Sequence, residues 1–298
     1  KTETKLEIFL EDESALHKKI YEFMVPVADI DTDIEQYPLN YYAGIPVEQY
    51  LGKKIVICAD APKSFLSCIK SENENNEHKM QLPRPLIHFT ADTGWTNDPN
   101  GMIYADGIYH LYFQYNPFNT SWENMSWGHA TSTDLLHWQQ QDTVLFPDES
   151  GTMFSGCAIS NERSLLGLPS DALLFFYTAA GGSNAWSKGL AFTQKIAYSL
   201  DGGKTLVKMD NPCLSTIEKE NRDPKVYWHE ETQAYVMALF LEGNDFAIFR
   251  SQDLLQWEQS DRFTLDDAWE CPDLFRLTSD TGETCWFFWS ADGFYYQG

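Results

Sequence analysis

Ser132-Thr133-Asp134-Leu135-Leu136-His137-Trp138 returns as Ser251-Gln252-Asp253-Leu254-Leu255-Gln256-Trp257, with a looser relative at Ser199-Leu200-Asp201-Gly202-Gly203-Lys204-Thr205. The copies begin 67 and 52 residues apart. Each reads as a turn entering an outer strand. Around them run short apolar-aromatic stretches: Tyr109 to Tyr115, Leu173 to Thr178, Tyr235 to Leu241 and Trp286 to Ser290. Each has strand length and is bounded by Gly, Pro, Asn or Asp. No long helical period separates them, so a βαβ sheet is disfavoured. Repeats of this period in all-β sequence predict propeller blades of about four strands each. A chance turn motif is the competing reading.

The 298-residue chain carries 21 Lys and Arg against 44 Asp and Glu, a formal charge of −23. Phosphate partners are bound through Lys and Arg, so nucleic acid is disfavoured, as are anionic membranes. No apolar run reaches 18 residues, so no transmembrane helix is expected. Lys1 to Glu11 alternates charged and apolar residues, without a signal-like apolar core. The six cysteines form no C-x-x-C pair, and neither a zinc site nor a dense disulfide scaffold is expected. Asn119-Thr120-Ser121 and Asn124-Met125-Ser126 are glycosylation sequons, relevant only in a eukaryotic secretory setting. Aromatics make up 15% of the chain. They suit strands, and they also suit sugar sites, where rings pack on apolar sugar faces.

The first 82 residues differ from the rest. Leu6 to Leu10 and Lys54 to Cys58 read as strands, and Glu13 to Phe23 reads as a helix. A polar run, Ser71 to Glu77, and then Pro83-Arg84-Pro85 place a boundary between a small N-terminal β-rich unit (1–82) and the main unit (83–298).

Three carboxylates sit in unusual settings. Asp98 lies in Gly94-Trp95-Thr96-Asn97-Asp98-Pro99-Asn100-Gly101, Asp223 in Asn221-Arg222-Asp223-Pro224-Lys225, and Glu270 in Trp269-Glu270-Cys271-Pro272-Asp273. Each is followed, at once or after one residue, by Pro, and then by a strand-like run. In a propeller, such strand starts converge from distant sequence on one funnel. Convergent acids are what glycoside cleavage needs. One carboxylate attacks the anomeric carbon, and a protonated one donates to the leaving oxygen. A third can strengthen its bonds to the sugar as positive charge develops. Mutual repulsion raises the pKa of one of them. A single Asp-Pro is more often an ordinary turn; three such settings with Trp and Arg neighbours are not.

The same segments resemble the motifs of glycoside hydrolase family 32, the invertase, inulinase and levanase family. Trp95 to Gly101 is similar to its W-x-N-D-P-N-G signature, Arg222-Asp223-Pro224 to R-D-P, and Glu270-Cys271 to E-C. His110 to Pro117, Trp127-Gly128-His129-Ala130 and Phe154-Ser155-Gly156 resemble further family blocks, in order from about His88 to Gly298. Thr96 and Cys157 depart from the usual residues. The resemblance implies Asp98 as nucleophile, Glu270 as general acid and then base, and Asp223 as transition-state stabiliser beside Arg222. It implies a fructose pocket lined by Asn97, Gln114, Trp122 and Ser155, with Phe154 beside Ser155 and with Trp95 and Trp127 shaping the wall. No cofactor or metal is implied. The implied fold is a five-bladed propeller, of which this chain would hold about three and a half blades behind a small β-sandwich-like N-terminal domain. A missing C-terminal half or another chain would complete it, and the chain alone is expected to be weakly active or inactive. The implied partner is a fructose-containing oligo- or polysaccharide, and the implied place extracellular or cell-surface, with cytoplasmic as the alternative. Fructosyl transfer, non-catalytic fructan binding and arabinan cleavage are the competing activities.

Overall fold

A computed structural model of the chain describes residues 2–11, 17–27, 42–62, 65, 68–71, 85 and 88–297. Four antiparallel sheets follow one another in sequence, and each is a simple meander. Sheet I contains β4 (Trp95–Ala105), β5 (Ile108–Asn116), β6 (Ser126–Ser132) and β7 (Gln139–Leu145). Sheet II contains β8 (Thr152–Ser160), β9 (Leu173–Ala180), β10 (Thr193–Ser199) and β11 (Val207–Lys208). Sheet III contains β12 (Arg222–His229), β13 (Ala234–Phe240), β14 (Asp245–Ser251) and β15 (Glu258–Thr264). Sheet IV contains β16 (Asp273–Thr278), β17 (Thr284–Trp289) and β18 (Tyr295–Gln297). The all-β expectation therefore holds.

The four apolar-aromatic runs fall on β5, β9, β13 and β17, the second strand of each sheet. In the two middle sheets this strand is covered on both faces, and every residue of β9 and β13 is buried. Continuous apolar sequence is what two covered faces require. The outermost strand of sheet III, Glu258 to Thr264, is almost wholly exposed and correspondingly polar. Three cores join the sheets, and in one of them Phe240 and Phe246 of sheet III pack on Phe288 of sheet IV. Tyr112, Trp127, Phe175 and Tyr177 lock sheet I to sheet II. Phe176, Ile196, Met237, Leu239 and Phe249 lock sheet II to sheet III.

The repeated S-x-D motif is one turn used three times, each between the third and fourth strand of its sheet. Ser132 Oγ accepts from the N–H groups of Asp134 and Leu135, while Asp134 Oδ1 accepts from those of Leu136 and His137. Ser251 and Asp253 repeat all four bonds. In these two copies the closing Trp138 and Trp257 donate their indole N–H groups back to the carbonyls of Leu135 and Leu254. Those two leucines sit at φ +65° and +67°, which the looser copy meets with Gly202 at φ +71°.

The first strands β4, β8 and β12 lie side by side. Each breaks register near its start: β4 between Thr96 and Pro99, β8 between Met153 and Gly156, β12 between Arg222 and Lys225. Such irregularities re-aim side chains that a regular ladder would commit to one face. Pro99 and Pro224 fit there because they have no N–H to lose.

At the N-terminus, β1 (Thr2–Glu11) is the centre of a three-stranded sheet, flanked by β2 (His17–Val27) and β3 (Lys54–Ala59). Two of the expected strands are present. The helix expected over 13–23 is not: residues 12–16 lie outside the described ones, and from His17 the chain is strand. Pairing with β1 overrides the local preference, and Tyr21, Phe23 and Val25 alternate inward at the period of a strand. This sheet packs on Phe118 and Phe146 of the main body. Met24 and Asn124 exchange two hydrogen bonds across that contact, so the Asn124 sequon amide is buried and already used. The boundary at 82/83 and, apart from Ser71, the polar run before it lie outside the described residues.

Candidate active site

The three register breaks meet at one place. Asp98, on β4, accepts a 2.6 Å hydrogen bond from Ser155 Oγ on β8. Asn97 donates to the other oxygen of Asp98 at 3.3 Å, and the Trp95 indole N–H orients Asn97 at 3.0 Å. Gly101 lets β4 bend there. It sits at φ +50°, and a Cβ would come within 3.0 Å of the Trp127 and Tyr112 rings.

Asp223 opens β12 and is 7% exposed. Its backbone is left-handed, φ +64°, as are those of Glu270 (+53°) and Cys271 (+42°). Non-glycine residues rarely sit there, and clusters of them mark sites where geometry outranks local comfort. Asp223 Oδ2 accepts from the Cys271 N–H at 3.1 Å. The Cys271 thiol reaches both Asp223 Oδ2 (3.5 Å) and Asp98 Oδ2 (3.6 Å). Burial and the surrounding carboxylates push that thiol far up, so it remains a neutral S–H donor between the two acids. Arg222 donates from Nη2 (2.6 Å) and Nε (3.2 Å) to Glu270 Oε1, lies 3.8 Å from Asp223 Oδ2 through Nε, and rests on the Phe240 ring.

The electrostatics follow. Burial raises the Asp223 carboxyl to about 7, and Asp98 and Glu270 push it the same way. The Cys271 N–H and the Arg222 charge oppose them. Within the cluster, the carboxyl that holds a proton near neutral pH in the ligand-free site is therefore Asp223.

Asp98, Asp223, Glu270, Arg222, Asn97, Ser155 and Trp95 are thus joined by hydrogen bonds, ion pairs or sulfur contacts. Phe154 adjoins Ser155 and stands between Trp122 (5.8 Å, edge-on) and Phe192 (5.4 Å, edge-on). Trp122 is 54% exposed, an open ring face at the rim.

Two expected pocket residues are placed differently. Trp127 does not shape a wall. It is fully buried among Tyr112, Phe175 and Tyr177, and its indole N–H donates to the Phe154 carbonyl. Gln114 is 2% exposed and donates to the Met153 carbonyl at 2.9 Å. Both support the strand carrying Phe154 and Ser155, from the inward face of strands that sequence alone could not orient. Sequence reasoning passed over Asn100. With its amide oxygen turned toward Gln114, Asn100 accepts from Gln114 Nε2 (2.9 Å) and donates to Ser155 Oγ (3.2 Å), completing a chain to Asp98.

A profile of the glycosyl hydrolases family 32 N-terminal domain matches residues 88–297. The chain belongs to glycosyl hydrolase family 32. It is 40% identical to the levanase of Bacillus subtilis over 207 residues, covering 66% of this chain and 29% of the levanase. It is 36% identical to the invertase of Schizosaccharomyces pombe over 277 residues, covering 85% of this chain and 46% of the invertase. Among solved structures, the fructofuranosidase of Schwanniomyces occidentalis complexed with fructose superposes with a TM-score of 0.65 at 33% identity, over 72% of this chain and 46% of that one. The exo-inulinase of Aspergillus awamori gives 0.61 at 33% identity, over 68% and 45%. The chain spans less than half the length of each of these relatives.

Proposed function

We propose that the protein containing this chain is a retaining glycoside hydrolase that releases fructose from β-fructosides such as sucrose, levan or inulin. The observation that carries the reading is the linkage of Asp98 to Asp223 through one thiol, with Arg222 forking onto Glu270 beside them. In this reading Asp98 attacks the anomeric carbon and forms a fructosyl ester. Glu270 protonates the leaving oxygen and then deprotonates the water that cleaves the ester. Asp223 binds sugar hydroxyls as charge develops, and Asn97, Trp95, Ser155, Phe154 and Trp122 line the pocket. Ser155 holds the Asp98 carboxylate in one orientation, which suits in-line attack.

We read the four sheets as about three and a half blades of a five-bladed propeller, with 1–82 as a small β-rich domain that buttresses it. Two apolar faces support this. Leu277, Trp289 and Tyr295 of sheet IV point away from sheet III, and Met102 and Tyr104 of sheet I point away from sheet II, all exposed. Further sheets would cover both. The solved relatives include proteins complexed with fructose and with fructosylnystose, in keeping with a fructan ligand. An inulinase relative named as extracellular favours an extracellular or cell-surface place.

The test is turnover of sucrose, levan and inulin by the full-length protein, with the anomer of the first-released fructose read by NMR. Retention is expected, and inversion would overturn the nucleophilic role of Asp98. Asp98→Asn should abolish turnover while leaving the melting temperature nearly unchanged.

A further inference from the structure

We propose that Thr178 and Gln194, two fully buried residues of sheet II, are positioning residues that set the backbone of Asp223 and the aim of Arg222. The proposal rests on the reading of Asp223 as the group that stabilises the transition state.

Thr178 and Gln194 face each other directly across β9 and β10. Both are 0% exposed. The Thr178 hydroxyl donates to Gln194 Oε1 at 2.7 Å and accepts the Asp223 N–H at 3.0 Å. Gln194 Nε2 donates to the Asn221 carbonyl at 3.1 Å. One cross-strand pair in sheet II therefore grips the backbone of sheet III on both sides of Arg222. The gripped segment needs it. Asp223 is left-handed, and the register of β12 is broken from Arg222 to Lys225, so the ladder does not hold it. Asn221 is tied down from its other side as well, its side-chain oxygen accepting from the N–H groups of Ile217 and Glu218.

Chemistry argues that the pair is there for position. Apart from the Tyr177 hydroxyl, Thr178 is the one polar side chain of a strand reading Leu-Leu-Phe-Phe-Tyr-Thr-Ala-Ala. A buried polar pair is tolerated only when its donors and acceptors are matched. Here the hydroxyl proton, the hydroxyl lone pair, the amide oxygen and one amide N–H are all used, and two of those bonds end on the segment carrying Asp223. Relaxing φ at Asp223 would swing its carboxylate away from the Cys271 N–H and move Arg222 off Glu270.

The experiment uses the full-length protein and three variants, Thr178→Val, Thr178→Ser and Gln194→Met, each with thermal melts beside kcat and KM on sucrose. Thr178→Val keeps the shape and removes the hydroxyl. It should lower kcat by roughly 10- to 100-fold, the scale of a misplaced catalytic group, with KM changed less than about threefold. Thr178→Ser restores the hydroxyl and should keep at least about half of wild-type kcat. Gln194→Met should fall between them. A folded Thr178→Val with wild-type kcat, or a folded Thr178→Ser as impaired as the Val variant, overturns the proposal. If Thr178→Val does not fold, the Ser variant decides: rescue supports positioning, and a kcat below about one-tenth of wild type refutes it. Failure of the functional reading itself looks different, because the wild-type protein would then be inactive on every β-fructoside.

Discussion

Asp223→Asn should stabilise the protein in alkaline solution while disabling it. Burial raises the Asp223 carboxyl from 3.8 to about 7. The folded state therefore holds this proton more tightly than the unfolded chain does. Its contribution is fully present below pH ~4 and is lost as pH rises through about 7. A shift of about three units at about 1.36 kcal/mol each sets a ceiling of about 4 kcal/mol. Asn has no charge to desolvate and still offers an oxygen to the Cys271 N–H. It gives up the attraction to Arg222, which trims the gain. The variant should be more stable than wild type by about 2–4 kcal/mol at pH 8, or roughly 5–10 °C, and nearly equal to it at pH 4. Its kcat should fall by about 10²–10³-fold, the scale of losing one preorganised electrostatic partner. Thermal melts of both proteins from pH 4 to 9, with sucrose kinetics alongside, check this. A stability difference independent of pH, or one that favours wild type as pH rises, would refute the reasoning.

Ser155→Ala removes the 2.6 Å bond to Asp98; a hydrogen bond to a charged group is worth about 1.5–3 kcal/mol, so kcat/KM should drop roughly 10- to 100-fold, and steady-state kinetics within twofold of wild type would contradict the assigned orientation. His129 is fully buried beside His110, and burial lowers it to about 3. Its contribution is present above pH ~6.5 and lost on acidification, by about 2–3 kcal/mol at pH 4.5; denaturant midpoints at pH 7 and 4.5 should show that loss in wild type and a shallower one in His129→Asn. Phe23 joins the N-terminal sheet to Phe118 at 4.5 Å between ring centroids, so Phe23→Ala should cost about 3–5 kcal/mol in the main unfolding transition; a separate early transition with the main one unmoved would show that the two units are not coupled.

What could be read from the sequence was what the chain settles locally. The S-x-D turns were legible because donor and acceptor lie within five residues. The second strands were legible because two covered faces demand unbroken apolar sequence. The strand from His17 was misread because its competitor, pairing with β1, lies outside any local window. Trp127 and Gln114 belong with it: their types suit a sugar pocket and a core alike, and only the packing of sheet I on sheet II shows that they are buried.

The site itself sits between these cases. Asp98 and Asp223 are followed directly by Pro, and Glu270 by Pro after one residue. Proline cannot donate to a ladder, so the sequence marks where regular pairing must fail. At Asp98 and Asp223 the structure shows the failure as a register break, and at Asp223 and Glu270 as a left-handed backbone. A broken ladder frees a carboxylate to aim, but it also frees it to wander. The bracing comes from neighbouring sheets: Ser155 for Asp98, Thr178 and Gln194 for Asp223, and Arg222 for Glu270. Of these only Ser155 and Arg222 stand inside recognisable motifs. Thr178 and Gln194 are ordinary residues in ordinary strands, and their role exists only once β9, β10 and β12 are brought together. Residues that react are therefore legible in a sequence sooner than residues that hold them, because reactivity is a property of residue type and holding is a property of contact.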